Sequence, residues 1–288
     1  MEEYEPRYKY LVLSGGSIQG IAHIGAIKKL VERKLIDLNK LKGLAGTSCG
    51  SIIGMLVILG FSIDEIWDFV YCLDIKKLFN PNIMLLFDNL GVDHGLIIYN
   101  LIEDILTAKT KVPKINFEQL YQITKVHFIV VGTCLTTKTA IYYDHLNTPM
   151  FEVSKAIRIS ISMPGFFVPV TIDGNQYIDG GIMDNYPIGV FSDKLDETIG
   201  ILISHNYDTH YQFLDQYIMA VFNLYMYLIY EKNIHTYQKN TIYVKCSTNI
   251  ASLFNFNIDN RTKVEIYNLG INACEEFIKK IFGENNNV

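Results

Sequence analysis

Two glycine-rich turns separated by one helix constrain this chain more than any other feature of its sequence. The first, SGGSIQG at residues 14–20, follows a short apolar run, Tyr10–Leu13, and precedes Ile21, Ile24, Ile27, Leu30 and Val31 at helical spacing. The second, GTSCG at residues 46–50, follows residues 41–45 (LKGLA) and opens into the apolar segment 52–59. Each reads as a strand, a tight turn and a helix. From Gly15 to Ser48 the chain completes one βαβ step, a unit of about 30 residues or more. Both turns then lie at the carboxyl ends of neighbouring parallel strands, the edge at which open α/β sheets bind their ligands.

Further along, residues 127–135 (HFIVVGTCL), 176–181 (QYIDGG) and 197–204 (ETIGILIS) read as strands, and residues 64–79 and 99–108 as helices. Strands alternating with helices predict an α/β fold of three layers, with a central, mostly parallel sheet and helices on both faces. The chain has 288 residues, 49% hydrophobic and 19% charged, and shows no linker, repeat or low-complexity block, which fits a single ordered domain over residues 1–288. Residues 80–95 (NPNIMLLFDNLGVDHG) hold an apolar patch at 83–87 bounded by turn residues. It suits a lid, a lipid-touching loop or a segment packed on the core.

Several function classes are excluded or disfavoured by composition. Net charge is -5 with the basic residues dispersed, so no nucleic-acid partner is expected. Cys49, Cys72, Cys134, Cys246 and Cys274 are odd in number and show no metal-ligand spacing, which predicts reduced thiols. The start, MEEYEPRYKY, lacks the apolar core of a secretory signal. Residues 43–63 are uncharged and long enough to span a bilayer, yet carry five glycines and several hydroxyls, which fits a buried turn and helix better. Residues 216–230 (QYIMAVFNLYMYLIY) are too short to span and apolar on nearly every face, as in a core helix or a membrane or partner contact. Together these features predict a cytoplasmic protein in transient, peripheral contact with membranes.

The second turn has the pattern G-x-S-x-G, filled by Gly46, Ser48 and Gly50. Glycines two residues either side of a serine let the chain turn sharply from strand to helix and lift the hydroxyl clear of the backbone. The next residue, Cys49, begins the helix, where its amide faces the hydroxyl. A serine still needs a base and oxyanion donors to act as a nucleophile. The first turn offers donors, because Gly15, Gly16 and Ser17 present backbone N–H groups where a helix begins. Nucleotide motifs do not fit there: Ile21 and Ala22 follow Gly20 where a P-loop needs Lys and Ser or Thr, and Ser17 stands where a dinucleotide fingerprint needs Gly.

LSGGSIQGIAHIGAI, AGTSCGSIIG, AIRISISMPGFFVPV and YIDGGIMDNYP resemble, in that order, the four signature blocks of the patatin-like phospholipase family, across residues 10–190. NLGINACEEFI resembles the family's last helix more weakly. The resemblance implies a dyad of Ser48 and Asp179 with no histidine, Asp179 being set in a turn with Gly180 and Gly181. It implies an acyl-enzyme, no metal or organic cofactor, and membrane phospholipids or other acyl lipids as partners. Phospholipase A or lysophospholipase activity is expected, with a neutral-lipid esterase or a catalytically weak lipid-binding scaffold as alternatives. Two positions depart from the pattern: Ser17 replaces the third glycine, and Gln19 replaces the usual Lys or Arg. Asn185 and Pro187 are expected to shape the loop after Asp179, and Arg158 to form a structural ion pair. Asp173 and Asp184 are read as turn or cap residues, and Met163, Phe166 and Phe167 as wall or core. Chain order also permits a Ser48, Asp179, His205 triad of the α/β-hydrolase kind.

Overall fold

A computed structural model describes residues 4–206, 224, 236–247 and 258–283 of the chain. β1 (Tyr10–Leu13) leads through a 3-10 turn (Ser17–Gly20) into α1 (Ile21–Glu32), and β2 (Gly43–Thr47) leads through Ser48 into α2 (Cys49–Ile58). There follow α3 (Ile63–Cys72), α4 (Met84–Asn89), β3 (Gly91–Asp93), α5 (Leu96–Thr110), α6 (Phe117–Thr124), β4 (His127–Cys134) and β5 (Thr139–Tyr143). Next come α7 (Val153–Ser160), β6 (Gly165–Phe167), β7 (Val170–Ile172), β8 (Asn175–Asp179), α8 (Gly181–Asp184) and a 3-10 segment (Ile188–Glu197). β9 (Thr198–Asn206), β10 (Thr241–Ser247) and α9 (Asn260–Phe282) close the fold.

β10, β9, β1, β2 and β4 lie side by side in that order and run parallel, while β5, β7 and β8 add antiparallel pairs. β3 and β6 form a separate two-stranded sheet. Side chains alternate across the main sheet, as a pleated strand requires. Leu11, Leu13, Leu44, Phe128, Val130, Ile199 and Ile201 enter the larger core. On the opposite face Val12, Ala45, Ile129 and Leu202 pack with Tyr186, Ile188 and Phe191. The result is the α/β architecture expected, a mostly parallel sheet flanked by helical layers.

Local sequence accounts for several boundaries. α3 starts on a capping box, in which Ser62 and Glu65 satisfy each other's backbone N–H groups, and α6 does so with Asn116 and Gln119. The helix expected over residues 64–79 is instead α3 followed by a 3-10 turn (Ile75–Leu78), with extended backbone at Leu73 and Asp74. The cause is distant in sequence: Lys263 of α9, itself buried, donates to the Tyr71 and Leu73 carbonyls at 2.9 and 2.7 Å and caps the helix end with a cation. Residues 80–95 contain α4 and β3. Their base is closed by the Asn82 N–H donating to the Val92 carbonyl at 2.6 Å and the Asn80 N–H to the Asp93 carboxylate at 2.5 Å. The apolar stretch 216–230 lies outside the described residues apart from Leu224. Among the described residues no helix is long and apolar enough to cross a membrane.

Candidate active site

The sheet brings two distant segments together end to end. β4 pairs with β2 through residues up to Val131, opposite Thr47, and with β8 from Gly132, opposite Asp179. β5 occupies the other edge of β4 over residues 130–134, so β2 and β8 must share one edge. They approach along it from opposite directions. Ser48, one residue past the end of β2, and Asp179, the last residue of β8, therefore meet beside β4. The Ser48 hydroxyl donates to Asp179 Oδ2 at 2.9 Å.

Ser48 has φ 53° and ψ -125°, a strained conformation for a residue with a side chain. Close packing holds it there. A side chain on Gly46 would strike the Gly50 backbone, and one on Gly50 would strike the Leu13 carbonyl, so both flanking positions exclude any larger residue. The Ser48 N–H donates to the Ser160 hydroxyl at 2.8 Å. The turn that ends α7 also holds Asp179, whose N–H donates to the Ser162 carbonyl at 2.9 Å. One short segment thus fixes both members of the pair, a role that neither serine's local sequence announces.

Asp179 is 5% exposed, and burial pushes its carboxyl up to about 7. The Gly181 N–H, donated to Oδ1 at 2.7 Å, and the Ser48 hydroxyl oppose that shift without cancelling it. A carboxylate with this basicity is a far better proton acceptor for a hydroxyl than an ordinary surface aspartate. Cys49 is half-buried and begins α2. Burial, reinforced by the Asp179 charge, pushes its thiol up to about 12, so the thiolate required of a cysteine nucleophile is absent at neutral pH.

The glycine turn requires one correction. The Gly15 N–H is donated to the Asn185 carbonyl at 3.0 Å, so Gly15 does not serve as an oxyanion donor. Its role is to tie the loop after Asp179 to the first turn, as the Asn185 side chain does from the other side at 3.5 Å to the Gly15 carbonyl. Ser17 takes φ 49°, a left-handed backbone where the family pattern has glycine, and borders the same space as Ser48 and Cys49. Gln19 is buried, so the position that carries a cation in the family pattern does not reach toward a lipid headgroup here.

In front of Ser48 opens a cavity of about 200 Å³. Ile52 and Leu56 of α2, Phe69 and Val70 of α3, Ile102 and Ile105 of α5, and Met163, Phe166 and Phe167 form much of its wall. Ser17, Ser48, Cys49 and Asp179 are its polar margin, and among the described residues no cationic side chain lines it. For scale, an apolar protein cavity of roughly 150 Å³ accommodates benzene.

Other candidate residues fall into supporting places. His23 is buried with Nε2 2.8 Å from the Ser14 carbonyl, and burial lowers its pKa to about 4, which leaves it neutral inside α1. Asp184 accepts from the Tyr142 hydroxyl at 2.9 Å, and Asp173 occupies the left-handed first position of the β7–β8 turn. Among the described residues Arg158 forms no ion pair at contact distance. Its guanidinium donates to the His94 and Val168 carbonyls and to the Ser162 hydroxyl, with Asp93 near enough only for longer-range attraction. All five cysteines are free thiols. His205 lies in β9, paired with Cys246, and its side chain is outside the described residues.

A parallel sheet edge carrying a strained serine after a strand, a buried carboxylate bonded to it and an apolar cavity in front defines a hydrolase-like α/β architecture. The chain belongs to the patatin-like phospholipase family, whose model matches residues 11–192. It is 32% identical to an uncharacterized protein of Acanthamoeba polyphaga mimivirus over 96% of each chain. It is 30% identical to a probable lipid hydrolase of Invertebrate iridescent virus 6, over 64% of this chain and 63% of that one. Among solved structures, VipD from Legionella pneumophila shares the fold with a TM-score of 0.65 at 17% identity, covering 96% of this chain and 67% of that one.

Proposed function

We propose that this chain is a lipid acyl hydrolase of the phospholipase A or lysophospholipase type, working through Ser48 and Asp179. The observation that carries the proposal is the 2.9 Å hydrogen bond between them at the margin of an apolar cavity. Asp179 takes the hydroxyl proton as Ser48 Oγ attacks the ester carbonyl. Backbone N–H groups of Gly16, Ser17 and Cys49 stabilise the oxyanion. The proton passes from Asp179 to the departing alcohol oxygen, leaving an acyl-enzyme. Asp179 then deprotonates a water, which attacks the acyl carbonyl, and the proton passes from Asp179 to Ser48 Oγ as the acyl–oxygen bond breaks and the acid is released. The acyl chain occupies the cavity, and its exclusion of water keeps Asp179 basic.

A direct serine–carboxylate bond uses the hydroxyl's single proton, so an imidazole has no place between the two groups. His205→Ala is therefore expected to retain activity on a soluble ester, whereas Asp179→Asn loses it. A second reading, hydrolysis of neutral acylglycerols, is favoured by the apolar side chains that the described residues give nearly all of the cavity wall. Incubation with a mixed lipid extract separates the two by which species lose acyl chains. A fluorophosphonate is expected to label wild type and Cys49→Ala but not Ser48→Ala. Absence of labelling in wild type, with vesicles present, would leave a lipid-binding scaffold instead.

A further inference from the structure

Beside the cavity stands an apolar ridge that the chemistry does not use. Ile83, Met84 and Phe87 of the α4 segment are 63%, 66% and 79% exposed, and Leu90 and Leu96 are also exposed. Large apolar side chains gathered this openly on a globular surface mark a contact site. The ridge is an excursion closed at its base by two bonds to β3, from the Asn80 N–H to the Asp93 carboxylate and from the Asn82 N–H to the Val92 carbonyl. Both feet are cavity wall: Ile75, Leu78 and Phe79 precede it, and Ile98, Leu101 and Ile102 follow it. Phe79 packs edge-on against Phe166 with ring centroids 5.2 Å apart, which anchors the first foot to the wall.

We propose that residues 83–97 are the element by which this protein docks onto a lipid surface, inserting Ile83, Met84 and Phe87 among the acyl chains beside the cavity. The proposal rests on the lipid hydrolase reading for its choice of occupant. A second protein seated on the ridge would cover the flank of the space that must admit substrate, whereas a bilayer placed there presents acyl chains directly to the cavity. The charges nearby do not favour an electrostatic mode. Lys76 and Lys77 are exposed next to the first foot, but Asp74 pairs with Lys77 at 3.6 Å, the excursion itself carries Asp88, and the whole chain has a net charge of -5. Docking is accordingly apolar, and tolerant of salt and of zwitterionic headgroups.

The test compares wild type with an Ile83→Ser, Met84→Ser, Phe87→Ser triple variant, none of whose altered residues borders the cavity. Flotation with phosphatidylcholine vesicles reads binding, and turnover of a short-chain soluble ester reads the site. The variant is expected to lose vesicle binding at least about tenfold, since it removes three large apolar side chains from the inserted face, while its soluble-ester rate stays within about twofold. Binding of wild type should persist in high salt. Failure of wild type to float, equal flotation of the variant, or a wild-type dimer that the variant converts to monomer would each overturn the proposal. If neither protein turns over any ester, the flotation comparison still decides docking, and only the catalytic reading falls.

Discussion

The Asp179 carboxyl is where catalysis and stability oppose each other. Its folded pKa of about 7 lies above the ordinary value of 3.8 because the ionised form is buried. Below pH 4 the group is protonated in both states and contributes nothing. Between pH 4 and 7 the unfolded chain ionises it while the folded chain resists, so its contribution to stability falls as pH rises, by up to about 4 kcal/mol. Asp179→Asn keeps the acceptor oxygen but removes the charge. Thermal melts should show the variant more stable than wild type at pH 8, with the gap closing by pH 4. Hydrolysis of a soluble ester should rise with pH through a midpoint near 7 in wild type, and fall by about three orders of magnitude in the variant. Ser160 offers a different test. Ser160→Ala leaves the part-buried Ser48 N–H without its acceptor, at a cost of about 1 kcal/mol. The loosened Ser48 should lower kcat roughly tenfold with KM nearly unchanged, because the cavity that binds the chain is untouched.

At the scale of elements, α7 and the loop after it connect the site to the apolar excursion. Arg158 Nη1 reaches Ser162 while Nε and Nη2 hold the His94 carbonyl between β3 and α5. Arg158→Met keeps much of the volume but strips the His94 and Val168 carbonyls and the buried Ser162 hydroxyl of their donor, and should cost about 2 kcal/mol in a denaturant melt. The glycine turns, β1 and α1 were legible in the sequence because glycine placement and apolar periodicity are local signals. The partnership of Ser48 and Asp179 was legible only through the resemblance, since nothing in either segment encodes that β2 and β8 share an edge of β4. The loss of Gly15 from the oxyanion donors depends on Asn185, 170 residues away. The end of α3 depends on Lys263, and the cavity wall draws on α2, α3 and α5 together. Contacts of that range leave no local pattern to read.

For the whole molecule, the position of the chemistry and the position of the support differ. The family match ends at residue 192, yet β1 is an interior strand only because β9 pairs with it, and α9 covers the same side of the sheet as α1. α1 and α9 cross at two glycines: a side chain on Gly25 would strike the Tyr267 carbonyl, and one on Gly270 the Ala22 carbonyl. Neither glycine has a left-handed backbone, so close approach alone excludes a larger residue. Ile266, Cys274 and Phe277 are buried against the core along the same helix. Gly270→Val must push the helices apart, at a cost of about 1–3 kcal/mol, or about 2–4 °C of Tm for each kcal/mol in a chain of this size. If residues 1–288 fold as one unit, calorimetry should show one transition, lowered as a whole, and loss of soluble-ester activity on heating should follow it. Two transitions, with the activity surviving the first, would instead mean that the block holding Ser48 and Asp179 stands without its carboxyl-terminal support.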